Sequence, residues 1–397
     1  MQYRIDAKSG NKLSILGFGC MRFPKRLAQI DMDKTEQLIL GAVQKGVNYF
    51  DTAYLYGGSE TALGEIIKKN NLRDKIFLAT KLPHGSSFYG NFEALFQEQL
   101  KRLQTDYIDY YLIHNLSDPA QWKNLCASGI EKWIKEKKSS GQIRQIGFSF
   151  HGIHNDFMTL LNGYDWDFCQ IQYNYINIQF QAGVTGLKAA AAKGLPVIIM
   201  EPLLGGKLAA GLPRKAAALF NSANNSANVS FSPAAWGLRW LWNQKEVTVV
   251  LSGMNEESQL EENCGAANES VPDMLTEKET ELYKSVIDIF NSSSKVACTG
   301  CNYCMPCPSG VNIPGCFAAY NMSYNIGYFN ALMQYVSSTG LLFSGKNSTA
   351  SNCIKCGKCE KLCPQHIPIM KSLDSVKKRM EPAWFNTLIK IFRKMRL

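Results

Sequence analysis

Residues 47–83 read VNYFDTAYLYGGSETALGEIIKKNNLRDKIFLATKLP. The stretch opens on VNYFDTA, an apolar run of strand length, passes through an amphipathic segment at 60–69, and ends on IFLATKLP, a second strand-length run. Strand, loop, helix and strand in that order make one βα unit. The unit recurs along the chain. The runs SILGFGC, VNYFDTA, IFLATKLP, YIDYYLIHN, IRQIGFSF, FCQIQYNYI, PVIIMEPLL and TVVLSGM end near Cys20, Asp51, Lys81, His114, Ser149, Gln172, Glu201 and Ser252. Amphipathic segments such as 34–45, 92–103 and 128–138 lie between them. Runs apolar on both faces suit parallel strands covered by helices. Eight such pairs in about 270 residues predict a (β/α)8 TIM barrel of the α/β class. A doubly wound sheet is the second choice, and no G-x-G-x-x-G follows the first run to support it. Ahead of the barrel, residues 2–13 read as a hairpin turning at Ser9-Gly10-Asn11.

The chain has 397 residues, 46 % of them hydrophobic, which excludes a disordered or collagen-like protein and leads us to expect a sizeable core. Of its 13 Cys, nine lie between Cys298 and Cys363, and scattered disulfides would not cluster in that way. The opening MQYRIDAKSGNKL has no apolar run behind its charges, so a reducing cytoplasm is the expectation and free thiols can serve as ligands. The uncharged stretch 296–345 invites a membrane-spanning reading, but Asn321, Asn325, Asn330 and Gln334 interrupt it, and such amides are costly in hydrocarbon. It is read as protein interior.

The segment CIKCGKCEKLCP carries Cys353, Cys356, Cys359 and Cys363 at C-x2-C-x2-C-x3-C spacing before Pro364. Three thiolates on a tight loop can reach three irons of one cubane while the fourth serves the other cluster of a two-cluster domain. CTGCNYCMPCP supplies the matching set, Cys298, Cys301, Cys304 and Cys307 before Pro308, with a last gap of x2 in place of x3. Crossing gives one 4Fe-4S cluster Cys298, Cys301, Cys304 and Cys363, and the other Cys353, Cys356, Cys359 and Cys307. Four-cysteine zinc sites also use C-x2-C pairs, but zinc gives no reason for two tetrads that each end in Cys-Pro. Cys316 is read as a buried thiol or a substitute ligand, and Cys20, Cys126, Cys169 and Cys264 as small core residues. The two motifs and the helical spacer between them resemble the helical two-cluster ferredoxins.

Three parts are therefore expected: a barrel with its following helix over 1–291, a small, mostly helical iron–sulfur domain over 292–375, and a basic amphipathic helix over 376–397. The net charge is +10, yet residues 371–397 alone hold eight Lys and Arg against two acidic residues, so nucleic-acid binding by the body of the protein is not expected. The tail reads either as a contact for a membrane surface or a partner, or as a helix docked on its own domain.

Catalytic groups of a barrel belong at the C-terminal ends of its strands. Asp51, Lys81 and His114 fall at three consecutive ends, and Tyr56 follows Asp51 in the second loop. Each alone has an ordinary structural explanation. Together they form a proton-delivery set, in which a buried lysine stabilises a phenolate, an aspartate positions the lysine, and the phenol acts as general acid.

FDTAYLYGGSE (50–60), LATKLP (78–83) and DYYLIHN (109–115) make residues 1–268 resemble the aldo-keto reductases. The resemblance implies Tyr56 as proton donor, Lys81 and Asp51 as the pair that sets its pKa, and His114 orienting a carbonyl. It further implies a nicotinamide cofactor across the barrel mouth, with Ser149 and Gln170 toward its carboxamide and Ser252, Gly253, Gln259, Glu262 and Asn263 toward its adenine end. After the seventh run, where the family usually stacks an aromatic ring on the nicotinamide, this chain has Met200-Glu201-Pro202-Leu203. The segment SGMNEESQLEEN holds four glutamates and no basic residue, so NADH is predicted over NADPH. Hydride carries two electrons and a cubane accepts one, so direct exchange between the halves needs a converter such as a flavin, for which no motif is present. Three readings follow: a carbonyl reductase with clusters for relay or redox sensing, an electron-transfer protein joining a nicotinamide or flavoprotein partner to the clusters, and a scaffold.

Overall fold

The computed structural model describes residues 1–27, 29–85, 88, 90–206, 208–227, 230–292, 295–296, 298, 300, 304–325, 327–341, 347–363 and 366–385. Cys301, Pro364 and the tail helix beyond 385 lie outside the described residues.

Eight parallel strands close a barrel: β1 (Leu16–Gly19), β2 (Tyr49–Asp51), β3 (Phe77–Leu82), β4 (Ile108–Leu116), β5 (Ile143–Phe150), β6 (Phe168–Gln172), β7 (Val197–Met200) and β8 (Val247–Ser252). Each pairs with its neighbour in sequence, and Val250 beside Leu16 joins β8 to β1. The strands are buried on both faces, as their continuous apolar runs require. Leu13, Tyr49, Ala79, Tyr110, Phe168, Ile198 and Val249 belong to one buried cluster. The hairpin of Tyr3–Ile5 and Lys12–Ser14 leads into β1, and its turn residue Asp6 accepts a 2.8 Å hydrogen bond from the Tyr110 hydroxyl.

Helices begin where the chain supplies caps. Asp31 accepts from the Lys34 amide to start Met32–Gln44, and Ser232 accepts from Ala234 and Ala235 to start Pro233–Trp242, with proline at the first helical position. The amphipathic segment at 128–138 forms the helix Ile130–Ser139, entered through Gly129 at φ 87°, and a separate helix Pro119–Ala127 precedes it.

The chain divides into two compact units. The first holds residues 1–175, 181–209 and 231–276, and the second 176–180, 210–230 and 277–397. The helix Glu277–Ser292, expected to close the barrel domain, thus belongs to the second unit. It lies beside Arg214–Ala227 there, with Phe220 and Tyr283 ring centroids 5.9 Å apart. In the same unit, helices Ile313–Asn325, Tyr328–Ser338 and Ile369–Met380 enclose a core of Val311, Phe317, Tyr335, Val336, Leu373 and Val376. One of the amides that interrupt the uncharged stretch has structural work: Asn321 accepts from the Val296 amide at 2.9 Å and donates to the Val296 carbonyl at 2.7 Å. Among the described residues no helix is long and apolar enough to cross a membrane.

Candidate functional site

The C-terminal ends of β2, β3 and β4 bring Asp51, Lys81 and His114 together, because neighbouring parallel strands keep register: Asp51 lies opposite Ala79, and Lys81 opposite Leu112. Lys81 is 1 % exposed and Asp51 3 %. The Lys81 ammonium donates to Asp51 Oδ1 at 2.6 Å and to the Thr52 carbonyl at 2.7 Å. Its Nζ sits 5.0 Å from the centre of the Tyr56 ring, and the Tyr56 and His114 rings meet edge to face at 5.9 Å. All four residues singled out from the sequence therefore share one site.

Electrostatics assign their protonation. Burial works against the Lys81 ammonium, but Asp51 and Tyr56 outweigh it and hold the lysine above its ordinary range. Burial pushes the Tyr56 phenol up, against the downward pull of Lys81, so the ring stays protonated through neutral pH. The lysine thus moderates the rise without reversing it. Burial, helped by the positive charge of Lys81, holds His114 well below its usual range, leaving a neutral imidazole.

The expected cofactor residues distribute differently. Gln170 donates to Asp51 Oδ2 at 3.0 Å, which ties it to the ion pair, and Ser149 Oγ accepts from the Asn115 amide at 2.7 Å. Pro202 is buried and Leu203 half-buried after β7. At the end of β8, Asn263 donates to Ser252 Oγ at 3.0 Å, Gln259 accepts from the Asn255 amide at 3.0 Å, and Glu262 accepts from the Ser232 amide at 3.2 Å.

Three features were not read from the sequence. Gln172, two residues beyond Gln170 on the same strand face, is 2 % exposed, and among the described residues both its amide atoms lack a partner, as do His114 Nδ1 and Asn115 Oδ1. Orphaned donors and acceptors at the barrel mouth fit a polar planar ligand such as a nicotinamide carboxamide. Arg22, after β1, donates to the Gly205 carbonyl at 2.8 Å and runs its methylenes along Gly253, placing a cation at the mouth. Lys34 and Lys45, both from the region of the helix Met32–Gln44, pair with Glu256 at 2.6 Å and Glu261 at 2.7 Å. The acidic segment is therefore partly neutralised by residues more than 200 positions away in the chain. Only the pairing of repeating units, which carries no signal within either segment, foretells that contact.

In the second unit, Cys307, Cys353, Cys356 and Cys359 line one cavity, walled by Ile313, Met370 and Leu373. These are four free thiols, and they are the set that crossing the two motifs predicts. Four thiols lining one cavity with apolar walls are the donor set a cubane takes. Cys298, Cys304 and Cys363 pack against the same core. Cys316 is fully buried, with its thiol facing the Tyr335 hydroxyl at 4.0 Å and the Ser348 carbonyl at 3.9 Å. Burial pushes it well above the ordinary thiol range, as expected of a core residue.

Comparison with known proteins gives two domain matches: an aldo/keto reductase family model over residues 15–284 and a 4Fe-4S dicluster domain over 297–367. An aldo-keto reductase of Mycolicibacterium smegmatis is 33 % identical over 150 residues, 38 % of this chain and 50 % of that protein. An uncharacterized oxidoreductase of Bacillus subtilis is 29 % identical over 241 residues, 52 % of this chain and 68 % of that one. The chain thus spans about half the length of the mycobacterial relative. Among solved structures, the holo form of an aldo-keto reductase from Bacillus halodurans aligns with a TM-score of 0.58 at 24 % identity, covering 72 % of this chain and 96 % of that one. An aldo/keto reductase of Klebsiella pneumoniae, in complex with NADP and acetate, aligns with a TM-score of 0.58 at 20 % identity, covering 72 % of this chain and 96 % of that one. The barrel topology and the match over residues 15–284 place the chain in the aldo/keto reductase family, with a 4Fe-4S dicluster domain following the barrel.

Proposed function

We propose that the barrel reduces a carbonyl compound with a nicotinamide dinucleotide, and that the second unit stores and passes single electrons through two 4Fe-4S clusters. The observation that carries the first part is the convergence of Asp51, Tyr56, Lys81 and His114 at one end of the barrel. A reduced nicotinamide at the mouth would supply hydride to the carbonyl carbon. Tyr56 holds the proton that the carbonyl oxygen needs, and its raised pKa keeps that proton in place until charge develops on the oxygen. Lys81, fixed by Asp51 and Thr52, then lowers the cost of the resulting phenolate. Neutral His114 offers a hydrogen bond to the same oxygen without competing as a proton source.

Gln172 with Ser149 would hold the carboxamide, Gln170 keeping Asp51 in place. Ser252, Gly253, Gln259, Glu262 and Asn263 would lie toward the adenine end, with Arg22 beside Gly253. Since Lys34 and Lys45 neutralise two of the glutamates there, we infer a preference for NADH of only a few-fold, about what exposed charges supply. Cys307, Cys353, Cys356 and Cys359 would hold one cluster and Cys298, Cys301, Cys304 and Cys363 the other.

Anaerobic reconstitution followed by NADH addition, with aldehyde turnover and EPR followed together, tests this reading. Turnover abolished by Tyr56→Phe supports the reductase. Rapid cluster reduction without carbonyl turnover would overturn it in favour of an electron-transfer protein.

A further inference from the structure

The geometry points to the loop around Cys356 as the docking face for an acidic one-electron carrier protein. This rests on the proposed iron–sulfur centre and says where electrons enter or leave it. Cys356 is the exposed one among the described cysteines, and with Ile354 and Lys355 it lines the cavity shared by Cys307, Cys353 and Cys359. A cluster held there would have its Cys356 edge at the surface. Beside Cys356 in the cavity wall, Ile354 is 69 % exposed, and Leu362, six residues on in the same segment, is 59 % exposed, apolar surface that fits the contact core of a small transient interface.

The rim is basic. Lys355, Lys358 and Lys361 are exposed. The nearby acids are already engaged: Asp374 pairs with Lys355 at 2.9 Å, and Glu360 accepts from the Met370 amide at 2.9 Å. No carboxylate among the described residues forms an ion pair with Lys358 or Lys361. Residues 353–380 hold seven Lys and Arg against two acidic residues, so the field around this edge steers an acidic protein toward it. In the transfer itself one electron leaves the carrier and enters the cluster, with no bond made or broken and no proton moved.

The test uses the full reconstituted chain and two donors, a reduced plant-type ferredoxin as the acidic carrier and the methyl viologen radical cation as a small positive reductant. Bleaching of the cluster absorbance is followed by stopped flow in the native chain and in the variant Lys358→Glu with Lys361→Glu. The expected result with ferredoxin is a second-order rate that falls about tenfold or more between low and high salt, and by a similar factor in the variant at low salt. With viologen the variant should be reduced as fast as the native chain or faster. A Lys358→Gln, Lys361→Gln variant should fall between the two. A ferredoxin rate indifferent to salt and to both variants would overturn the docking face, as would lysine-dependent binding to phosphatidylserine vesicles with the ferredoxin rate unchanged. Absence of cluster absorbance after reconstitution would instead overturn the iron–sulfur reading itself.

Discussion

Lys81 Nζ donates to Asp51 Oδ1 at 2.6 Å in a site where neither residue is more than 3 % exposed. Such a pair is costly to break from one side, because the surviving charge stays buried without its counter-ion. Among the described residues, Lys81→Ala leaves the Asp51 carboxylate with the Gln170 amide alone, on its other oxygen. The expected loss is about 3–5 kcal/mol, read as a lowered midpoint of denaturant unfolding. Asp51→Asn, which leaves the ammonium with the Thr52 carbonyl, should cost less. If Lys81→Ala unfolds at the native midpoint, the pair contributes nothing to the barrel.

The histidines around the mouth make stability depend on acid. Burial holds His84, His114 and His151 below their usual range, so the native state leaves them neutral where the unfolded chain, with ordinary imidazoles, takes up protons. The unfolded state thus binds more protons below about pH 6.5, and stability falls as pH drops through that value, by up to about 1.4 kcal/mol per pH unit for each histidine. Unfolding midpoints between pH 7 and 5 check the slope. His114→Gln should flatten it; an unchanged slope would mean that His114 is protonated in the native barrel.

The phenol makes the opposite prediction for rate. With Tyr56 held above its ordinary range, carbonyl reduction should stay level from neutral pH to about pH 9 and decline only as Tyr56 ionises, beyond the usual tyrosine value near 10. A pH profile of kcat/KM with a dehydrogenase-type decline already complete near pH 8 would show that the lysine, rather than burial, sets the phenol.

Much of this architecture was legible in the chain because barrel units repeat. Runs expected to end near Asp51, Gln172 and Ser252 end at those residues, since parallel strands covered on both faces leave unbroken apolar words in the sequence. The meeting of Asp51, Lys81 and His114 was legible for the same reason, since parallel strands in register bring their C-terminal ends together. What escaped was contact between distant segments. The pairing of Lys34 with Glu256, and Arg22 reaching the Gly205 carbonyl, depends on β8 lying beside β1, which no local pattern reports. Gln172 escaped because its neighbour Gln170 carried the resemblance, and only the structure shows Gln170 committed to Asp51. The grouping of residues 176–180 and 210–230 with the second unit has no signature in composition at all.

Packing behind the site sets a further expectation. Helices Ser59–Lys69 and Phe92–Leu103 cross at Gly64, where an added Cβ would lie 2.2 Å from the Arg102 carbonyl oxygen and 2.7 Å from Leu103 Cα. Both obstacles are backbone, so the helices must separate. The same helices carry Glu60 and Gln99, whose buried bonds reach Thr80 and the Lys81 carbonyl. Gly64→Ala should therefore cost about 1–3 kcal/mol and slow turnover through displacement of β3. A full-rate Gly64→Ala enzyme with unshifted unfolding would show that this crossing tolerates more space than its contacts imply.

The crossed assignment of thiols has a consequence that single substitutions can read. Cys307 belongs to the first motif in sequence but shares a cavity with Cys353, Cys356 and Cys359 of the second. If ligands followed sequence, Cys307→Ser would disturb the same EPR signal as Cys298→Ser. Since the cavity crosses the motifs, Cys307→Ser should alter the signal altered by Cys353→Ser and leave that of Cys298→Ser intact. Iron content should fall by no more than one cubane, about four irons of about eight. Cys316→Ser should change neither signal, because its thiol faces the Tyr335 hydroxyl and the Ser348 carbonyl within the core. The variant nearest to a trap is Tyr335→Phe. The hydroxyl accepts from the Ala350 amide at 2.9 Å and bonds Glu381, and the Ala350 carbonyl in turn holds the Cys353 amide at 3.1 Å. Losing that hydroxyl leaves a buried amide unpaired beside the Cys353 loop, so it should weaken the cluster of Cys307 and Cys353 first, with the cluster of Cys298 retained. Equal loss of both signals would mean that the Tyr335 hydroxyl supports the whole iron–sulfur unit rather than the Cys353 loop.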